Sequence, residues 1–430
     1  MKIYVGKDTS VKGYDLILVP GENLYTGRNS FLSHFGEPSS LENDLLTFSS
    51  AVYASDLATK RNDLENYIRT ILLTVEVVNF HAFERVKELL VQTLYTLSCD
   101  NWTISFIQVK GESEGPFTIK PKDGVVLLFS GGLDSLCGAS LYSSKKIPLH
   151  LVSHVNTNRV TSGAQESLYN SIKKYYEPNI INRSEFRVNG RKHDGLPFPE
   201  EREDSQRTRS FLFLSLAALT ARRVGYDKII SISENGQFAI HLPLSPARVG
   251  PFSTHTADPK FVDQVQELFI TILQLKALKI ENPFLYLTKA EIIPCLTPDL
   301  LGIIPDSVSC WKASRIEKNH CGECIPCFTR RIALEYNGHK FDEYAIDLFK
   351  LNLEKLPNDN EGKRNFSDYL GFILTFNKIF SANKPDLLYH FPELINSSFN
   401  YDQACNMYFR MTQQAISVFN SYPKIKKMLP

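Results

Sequence analysis

The sequence predicts an α/β protein built on a doubly wound parallel sheet. An α+β unit stands ahead of that sheet, a helical extension follows it, and one loop is held by metal. Three observations predict this. Strand-like apolar runs alternate with helical stretches from Val125 to Ser233. The first of those strands runs directly into a glycine turn and a helix. Four cysteines, Cys310, Cys321, Cys324 and Cys327, crowd into one short segment.

Residues 1–118 are expected to form the α+β accessory unit. MKIYVG and YDLILVP read as strands, Leu41 to Ala58 as a helix, and 69–78 as a strand. Between 81 and 98, Phe83, Val86, Leu89, Leu90, Leu94 and Leu97 recur at helical spacing. A further strand is expected at 102–109. Nothing here suggests chemistry, and His34 and His81 read as surface or packing residues. The Gly-, Pro- and charge-rich stretch 111–124 reads as the linker.

Residues 119–335 are expected to carry the parallel sheet. Val125 to Phe129 is a buried strand, followed by Ser130-Gly131-Gly132-Leu133-Asp134-Ser135 and an apolar helix. Glycines let bare N–H groups approach a ligand, and a helix N-terminus adds positive potential. Leu128 to Ser135 therefore reads as a phosphate cradle. Ser130 and Ser135 supply hydroxyls, and Asp134 a carboxylate for magnesium or a ligand hydroxyl. Neither G-x-x-x-x-G-K-[ST] nor G-x-G-x-x-G is present, which points away from Walker-type and dinucleotide folds.

The alternation continues with a strand at 148–155, a helix at 163–176, a strand at 185–189, a helix at 205–225 and a strand at 227–233. Ligands in such sheets sit beyond the C-terminal strand ends. That rim gathers the glycine turn, the segment 154–159, the loop 190–206 and Glu234-Asn235-Gly236. An adenine would meet backbone near Ser153 to Val155. Glu234 and Asn235 are candidate substrate contacts, and an ordinary turn explains them equally well. The charged loop 189–207 reads either as a cover over substrate or as a solvated insertion. Arg207 and Arg209 open the next helix, where cations oppose the helix dipole; an anionic ligand would remove the conflict. The loop 237–259 precedes a helix at 260–277 and is placed to line a second-substrate pocket. Thr288 reads as an N-cap whose capping box with Glu291 is nearly but not quite met. Lys289, at that helix start, suggests a nearby phosphate.

The cysteine pattern is C-x10-C-x2-C-x2-C. Four thiolates closing a tetrahedron with no open position make a structural zinc site; iron–sulfur is the alternative. Cys99, Cys137, Cys295 and Cys405 are isolated and read as small buried hydrophobes. Arg330 and Arg331 would face the ligand pocket or solvent. Residues 336–430 read as helices. The net charge of +1 and 22% charged residues show no nucleic-acid field. No apolar run approaches the roughly 20 residues of a membrane span, and MKIYVGKDTS lacks a signal-peptide core. A cytoplasmic protein is expected.

S-G-G-x-D-S after an apolar strand resembles the PP-loop of ATP pyrophosphatases, of the adenine nucleotide alpha hydrolase-like fold. With S-C-x10-C-G-x-C-x2-C downstream and T-K-A-E between, residues 124 to 335 resemble the 7-cyano-7-deazaguanine synthase (QueC) family. Arg209-Ser210-Phe211-Leu212 resembles that family's R-N-x-x-F-L helix start, and Pro283 with Lys289-Ala290-Glu291 adds support. The resemblance implies an enzyme that spends ATP, with Mg²⁺, to adenylate the carboxylate of 7-carboxy-7-deazaguanine, ammonia then displacing AMP; zinc is structural. It implies roles for Asp134, Ser135 and Lys289 in catalysis and for Arg209 in nucleotide binding. The chain departs from the family at 154–159, where a Y-G-Q-R-H-like segment is missing. It departs again at 237–259, which replaces a deazaguanine-contacting segment. The flanking units resemble those of QueC-like proteins in bacterial antiviral defence operons (CBASS and Qat type). There the implied acceptor is an amine of a partner protein encoded nearby. Three alternatives stay open: synthesis of the free nitrile with ammonia, a non-catalytic nucleotide-binding scaffold, and a PP-loop enzyme acting on tRNA. The small-molecule substrate would be a deazaguanine acid; no membrane or nucleic-acid partner is expected, and a homodimer is allowed.

Overall fold

A computed structural model describes residues 1–429 apart from 62–66, 116–121, 156–158, 177–179, 227–228, 246–254, 317–318 and 341–342. The strands are β1 (Lys2–Val5), β2 (Leu16–Leu18), β3 (Leu24–Thr26), β4 (Thr70–Val77), β5 (Asn101–Gln108), β6 (Val125–Leu128), β7 (Leu149–His154), β8 (Ile181–Phe186), β9 (Val188–Gly190), β10 (Ile229–Ser231) and β11 (Lys279–Glu281).

β2-β1-β4-β5 form the N-terminal sheet, parallel throughout. Parallel neighbours require crossovers rather than hairpins, so this unit is α/β in character, not the expected α+β. Its helices are α1 (Arg28–Phe35), α2 (Ser40–Ala58), α3 (Phe80–Glu84) and α4 (Lys87–Ser98). The single helix expected over 81–98 is thus two. Helix α2 starts at a capping box between Ser39 and Glu42 and is buried along its length except at Ser40 and Asn43. A helix buried all round must satisfy its polar groups internally. Asp44 accepts from the N–H groups of Val78 and Asn79. Asp56 pairs with the fully buried Arg69 at 2.7 Å.

The central sheet is β11-β10-β6-β7-β8, also parallel. β6 pairs with β7 on one side and β10 on the other, so the topological switch point lies at its C-terminal end, where a ligand crevice forms. The helices here are α5 (Leu133–Ser144), α6 (Arg159–Tyr175), α7 (Arg209–Val224), α8 (Gly236–Ala239), α9 (Pro259–Ile272), α10 (Lys289–Ile292), α11 (Pro298–Leu301) and α12 (Ile325–Tyr336). The strand expected at 185–189 is split: its first two residues end β8, which begins at Ile181, and its last two open β9. β3 and β11 had no counterpart among the expected strands.

One apolar core runs without a break from the N-terminal sheet through α2 and α7 to α9 and Ile280. Phe48 of α2 meets Phe106 of β5 and, edge-on, Phe211 of α7, at 5.7 and 6.0 Å. The charged loop 189–207 docks on the N-terminal unit: β9 pairs antiparallel with β3, and the Glu203 N–H donates to Leu57 O. The C-terminal helices α13 (Glu361–Asn383), α14 (Leu387–His390), α15 (Tyr401–Phe419) and α16 (Pro423–Lys426) enclose a separate aromatic core with Phe328 of α12. Among the described residues no helix is long and apolar enough to cross a membrane.

Candidate functional site

β6 ends at Leu128, and the chain turns through Phe129 to Gly132 into α5. Gly131 has φ +81, and a Cβ there would stand 3.0 Å from the backbone nitrogen of Gln165. Only glycine fits that turn without strain. The Ser135 hydroxyl donates to Gly132 O at 2.9 Å, and Ser130 Oγ accepts from Gly132 N at 3.3 Å. No side chain caps α5. Its first N–H groups, which have no intrahelical acceptor, point out at the strand-end rim where an anion would complete them.

The first turn of α5 aims Asp134 at the end of β10. Asp134 Oδ2 accepts from the backbone N–H of Asn235 at 3.2 Å and from its side-chain amide at 2.5 Å, while Oδ1 receives the Lys289 ammonium. Burial works to raise the Asp134 carboxyl, but the Lys289 charge and the surrounding hydrogen bonds hold it below its usual value. Glu234 stands beside it. Burial, then the Asp134 charge, pushes its carboxyl well up, so it favours the protonated form. A hard divalent cation takes charged oxygen donors; of this pair only Asp134 is held in its charged form, and Glu234 would have to lose its proton to join it.

Lys289 is buried, with its backbone N–H donating to Gln237 Oε1 at 2.8 Å. Its position at a helix start is balanced by Asp134, not only by an awaited phosphate. The capping box is complete: Thr288 Oγ1 accepts from Glu291 N at 3.2 Å, and Glu291 accepts from Thr288 N at 2.9 Å. The expectation that the box falls just short is thus corrected: Glu291 is the third helical residue after the Thr288 N-cap, which is the spacing a capping box needs.

The four thiol sulfurs lie within 4.8 Å of one another. Three of the separations are 3.4, 3.8 and 3.9 Å. Zn–S bonds of about 2.3 Å in a tetrahedron put sulfurs roughly 3.8 Å apart. Backbone N–H groups of Lys312 and Cys321 reach Cys310 Sγ at 3.3 and 3.4 Å, and that of Glu323 reaches Cys321 Sγ at 3.3 Å. The donor set fits a closed structural zinc. This loop reaches the glycine turn directly, because the Val308 N–H donates to Gly131 O at 2.9 Å. Arg330 faces neither pocket nor solvent. It is fully buried and grips the approach to that loop through Ser307 Oγ at 2.8 Å and Ile304 O at 2.9 Å. Arg331 is also buried, in an ion pair with Asp347 at 2.6 Å.

The structure thus brings Asp134, Glu234, Asn235 and Lys289 together beside Ser130 to Ser135. Glu234 and Asn235 address Asp134 rather than an open substrate pocket. Arg209 is exposed at the start of α7, its guanidinium 5.6 Å over the Phe213 ring and within electrostatic reach of His154 at the end of β7. The Val155 N–H, a candidate adenine contact, already donates to Phe186 O at 2.8 Å. Residues 156–158 lie outside the described residues, as does 246–254 of the second-substrate loop. Of the isolated cysteines, Cys137 and Cys405 are buried, but Cys99 and Cys295 are only partly so. Gln165, Gln237 and Val308 carry contacts that no motif announced.

No curated protein matches the chain. A family model described as QueC, queuosine biosynthesis protein QueC, matches residues 251–338. The matched segment holds Lys289, Val308 and all four cysteines, and the glycine turn lies before it. The match makes that segment similar to QueC and does not extend to the glycine turn.

Proposed function

We propose that the protein adenylates the carboxylate of a 7-deazaguanine acid with ATP and transfers the acyl group to an amine. The observation that carries this reading is a junction. Lys289 and Val308, from the segment that matches the QueC family, bond directly to Asp134 and Gly131 of a glycine turn outside that segment. Two motifs far apart in sequence therefore build one centre.

In this reading the N–H groups of the 130–135 turn hold the triphosphate, and Ser130 and Ser135 add hydroxyl donors. Mg²⁺, when bound through the Asp134 carboxylate, would supply charge to offset the polyphosphate. Lys289 neutralises negative charge at the turn. A substrate carboxylate oxygen bonds to the α-phosphorus as its bond to the bridging oxygen breaks, and pyrophosphate leaves. The amine nitrogen then bonds to the acyl carbon, loses a proton, and AMP departs. The contribution of the chain is orientation and electrostatic stabilisation.

We further propose that the amine belongs to a partner protein, that the reaction takes place in the cytoplasm and that it serves antiviral defence, in line with the flanking units. Intact-mass spectrometry after co-expression with genomic neighbours separates the outcomes. An adduct on a partner supports conjugation. Free cyano-deazaguanine without an adduct supports the ammonia-using synthase instead, and no product with any deazaguanine acid contradicts both.

A further inference from the structure

We propose that Arg207 is the anchor of a second anion site, one that takes a carboxylate or phosphate group away from the glycine turn. Arg207 is 6% exposed, and its Nε and Nη1 have no hydrogen-bond partner among the described residues. A buried guanidinium with unmet donors is costly, and folded proteins pair such groups or hold an ion there.

The acidic groups around it are already committed. Asp100 takes both nitrogens of the Arg61 fork at 2.9 and 2.8 Å, together with Arg69 Nε and Nη2. Asp56 takes Arg69 on one oxygen and Thr208 N and Oγ1 on the other. Glu203 accepts from the N–H groups of Arg61 and Ser205. The network holds three carboxylates and three arginines, but the carboxylates are taken up by the other groups, which leaves Arg207 Nε and Nη1 without a partner among the described residues. Burial and the nearby Arg61 charge push its guanidinium down to about 10, further than Cys99, Asp100 and Asp56 draw it up.

Its placement is built rather than incidental. Gln206, immediately before it, has φ 44, a left-handed conformation that non-glycine residues rarely adopt. The Gln206 side chain is fixed by the Tyr53 hydroxyl at 3.1 Å. This bend directs Arg207 toward the Cys99–Asp100 turn of the N-terminal unit and His255 of the 237–259 loop, within electrostatic reach of each. Arg209, two residues on, faces Phe213 and the end of β7. The charged neighbours of Arg207 come from the N-terminal unit and His255, not from the glycine turn. The site therefore lies where an anionic group would stand between the N-terminal unit and His255. A planar guanidinium fork suits either a carboxylate or a phosphate.

Thermal melting of the full chain in sodium chloride, sodium acetate and sodium phosphate at matched ionic strength tests this. An anion that binds only the folded state raises the melting temperature with its concentration. The wild-type protein should gain stability in acetate or phosphate over chloride, and Arg207→Met should lose that gain while melting no lower than wild type in chloride. A response to acetate alone marks a carboxylate ligand, and one to phosphate alone a phosphate. The proposal is overturned if wild type responds to neither anion. It is equally overturned if Arg207→Met tracks wild type in every salt, or melts lower in chloride. Should Arg207→Met fail to fold, calorimetric titration of wild type and Arg207→Lys with phosphate and acetate decides: heat that saturates in wild type and weakens in Arg207→Lys supports the site, and no heat, or equal heat in both as the glycine turn alone would give, removes it.

Discussion

Asp134 and Lys289 are best understood as a pair. Each is buried, and each satisfies the other's charge. Removing one partner of a buried pair leaves an uncompensated charge, at about 3–5 kcal/mol. Asp134→Ala should therefore lose both turnover, by on the order of 10²-fold or more, and stability. Adding Lys289→Met should restore much of the stability and none of the turnover. Urea unfolding and pyrophosphate release, measured on both variants, check this. If the double variant is no more stable than Asp134→Ala, the pair is not the electrostatic unit described here. At this scale the sequence was legible where chemistry demands a fixed spacing. The cysteine cluster and the S-G-G-x-D-S turn each announce themselves, because thiolates must converge on one ion and glycines must clear a backbone. Arg330 and Gln165 were not legible. Their partners are a hydroxyl and carbonyls distant in sequence, and no local pattern encodes such a meeting. The same holds for Glu234 and Asn235, whose rim position was foreseen while their true partner, Asp134, was not.

At the level of elements, the cysteine loop acts as a strut for the glycine turn. The Val308 N–H holds Gly131 O, and Arg330 holds Ile304 and Ser307 just before it. Metal binding to such a loop contributes its folding free energy. A strong chelator should lower the melting temperature and weaken nucleotide binding together, and zinc should restore both. Nucleotide binding unchanged after metal is stripped would show that the strut is not coupled to the turn. Strand β7 offers a separate test. His150 lies in its interior, 2.7 Å from Ser184 Oγ, and burial, with the charge of His34, pushes its imidazole down to about 4. Its folded value lies below the unfolded one of 6.5, so the unfolded chain binds the extra proton between them. Stability from this group is complete above pH 6.5 and is lost as pH falls toward 4, by up to about 3 kcal/mol. His150→Asn should flatten that part of the curve, seen as a difference between variant and wild type in urea unfolding from pH 7 to 4. Parallel curves would contradict the buried, neutral state of His150. Long elements such as α2 and β4 were readable from their extended apolar content. β3 and β11 were not, since they are short and their pairing is set by tertiary contacts.

For the whole molecule, the N-terminal unit is part of the body of the protein. α2 is covered on one side by its own sheet and on the other by α7, and Arg69 locks Asp56 and Asp100 in the seam. A chain starting at residue 119 would expose the apolar face of α7, including Phe211 and Leu214. Such a truncation should aggregate or bind a hydrophobic dye where the full chain does not; a soluble, cooperatively melting fragment would contradict the shared core. The sequence showed two strand–helix assemblies but not that they share one core, because a helix apolar on all sides does not reveal what covers it. The parallel order of the N-terminal sheet was hidden for the same reason: strand pairing joins residues such as Val5 and Val75, far apart along the chain. The rim at the C-terminal strand ends, by contrast, followed from the glycine turn after the first central strand, while the strand order that makes a switch point there did not.

The central claim is that the glycine turn and the QueC-matching segment form one ATP-spending centre for a deazaguanine acid. It is tested most directly by pyrophosphate release from the purified full chain with ATP and Mg²⁺, with and without 7-carboxy-7-deazaguanine and an amine donor. The account predicts release that depends on the acid and disappears in the Asp134→Ala, Lys289→Met double variant. Release independent of the acid, or retained in the double variant, would contradict it.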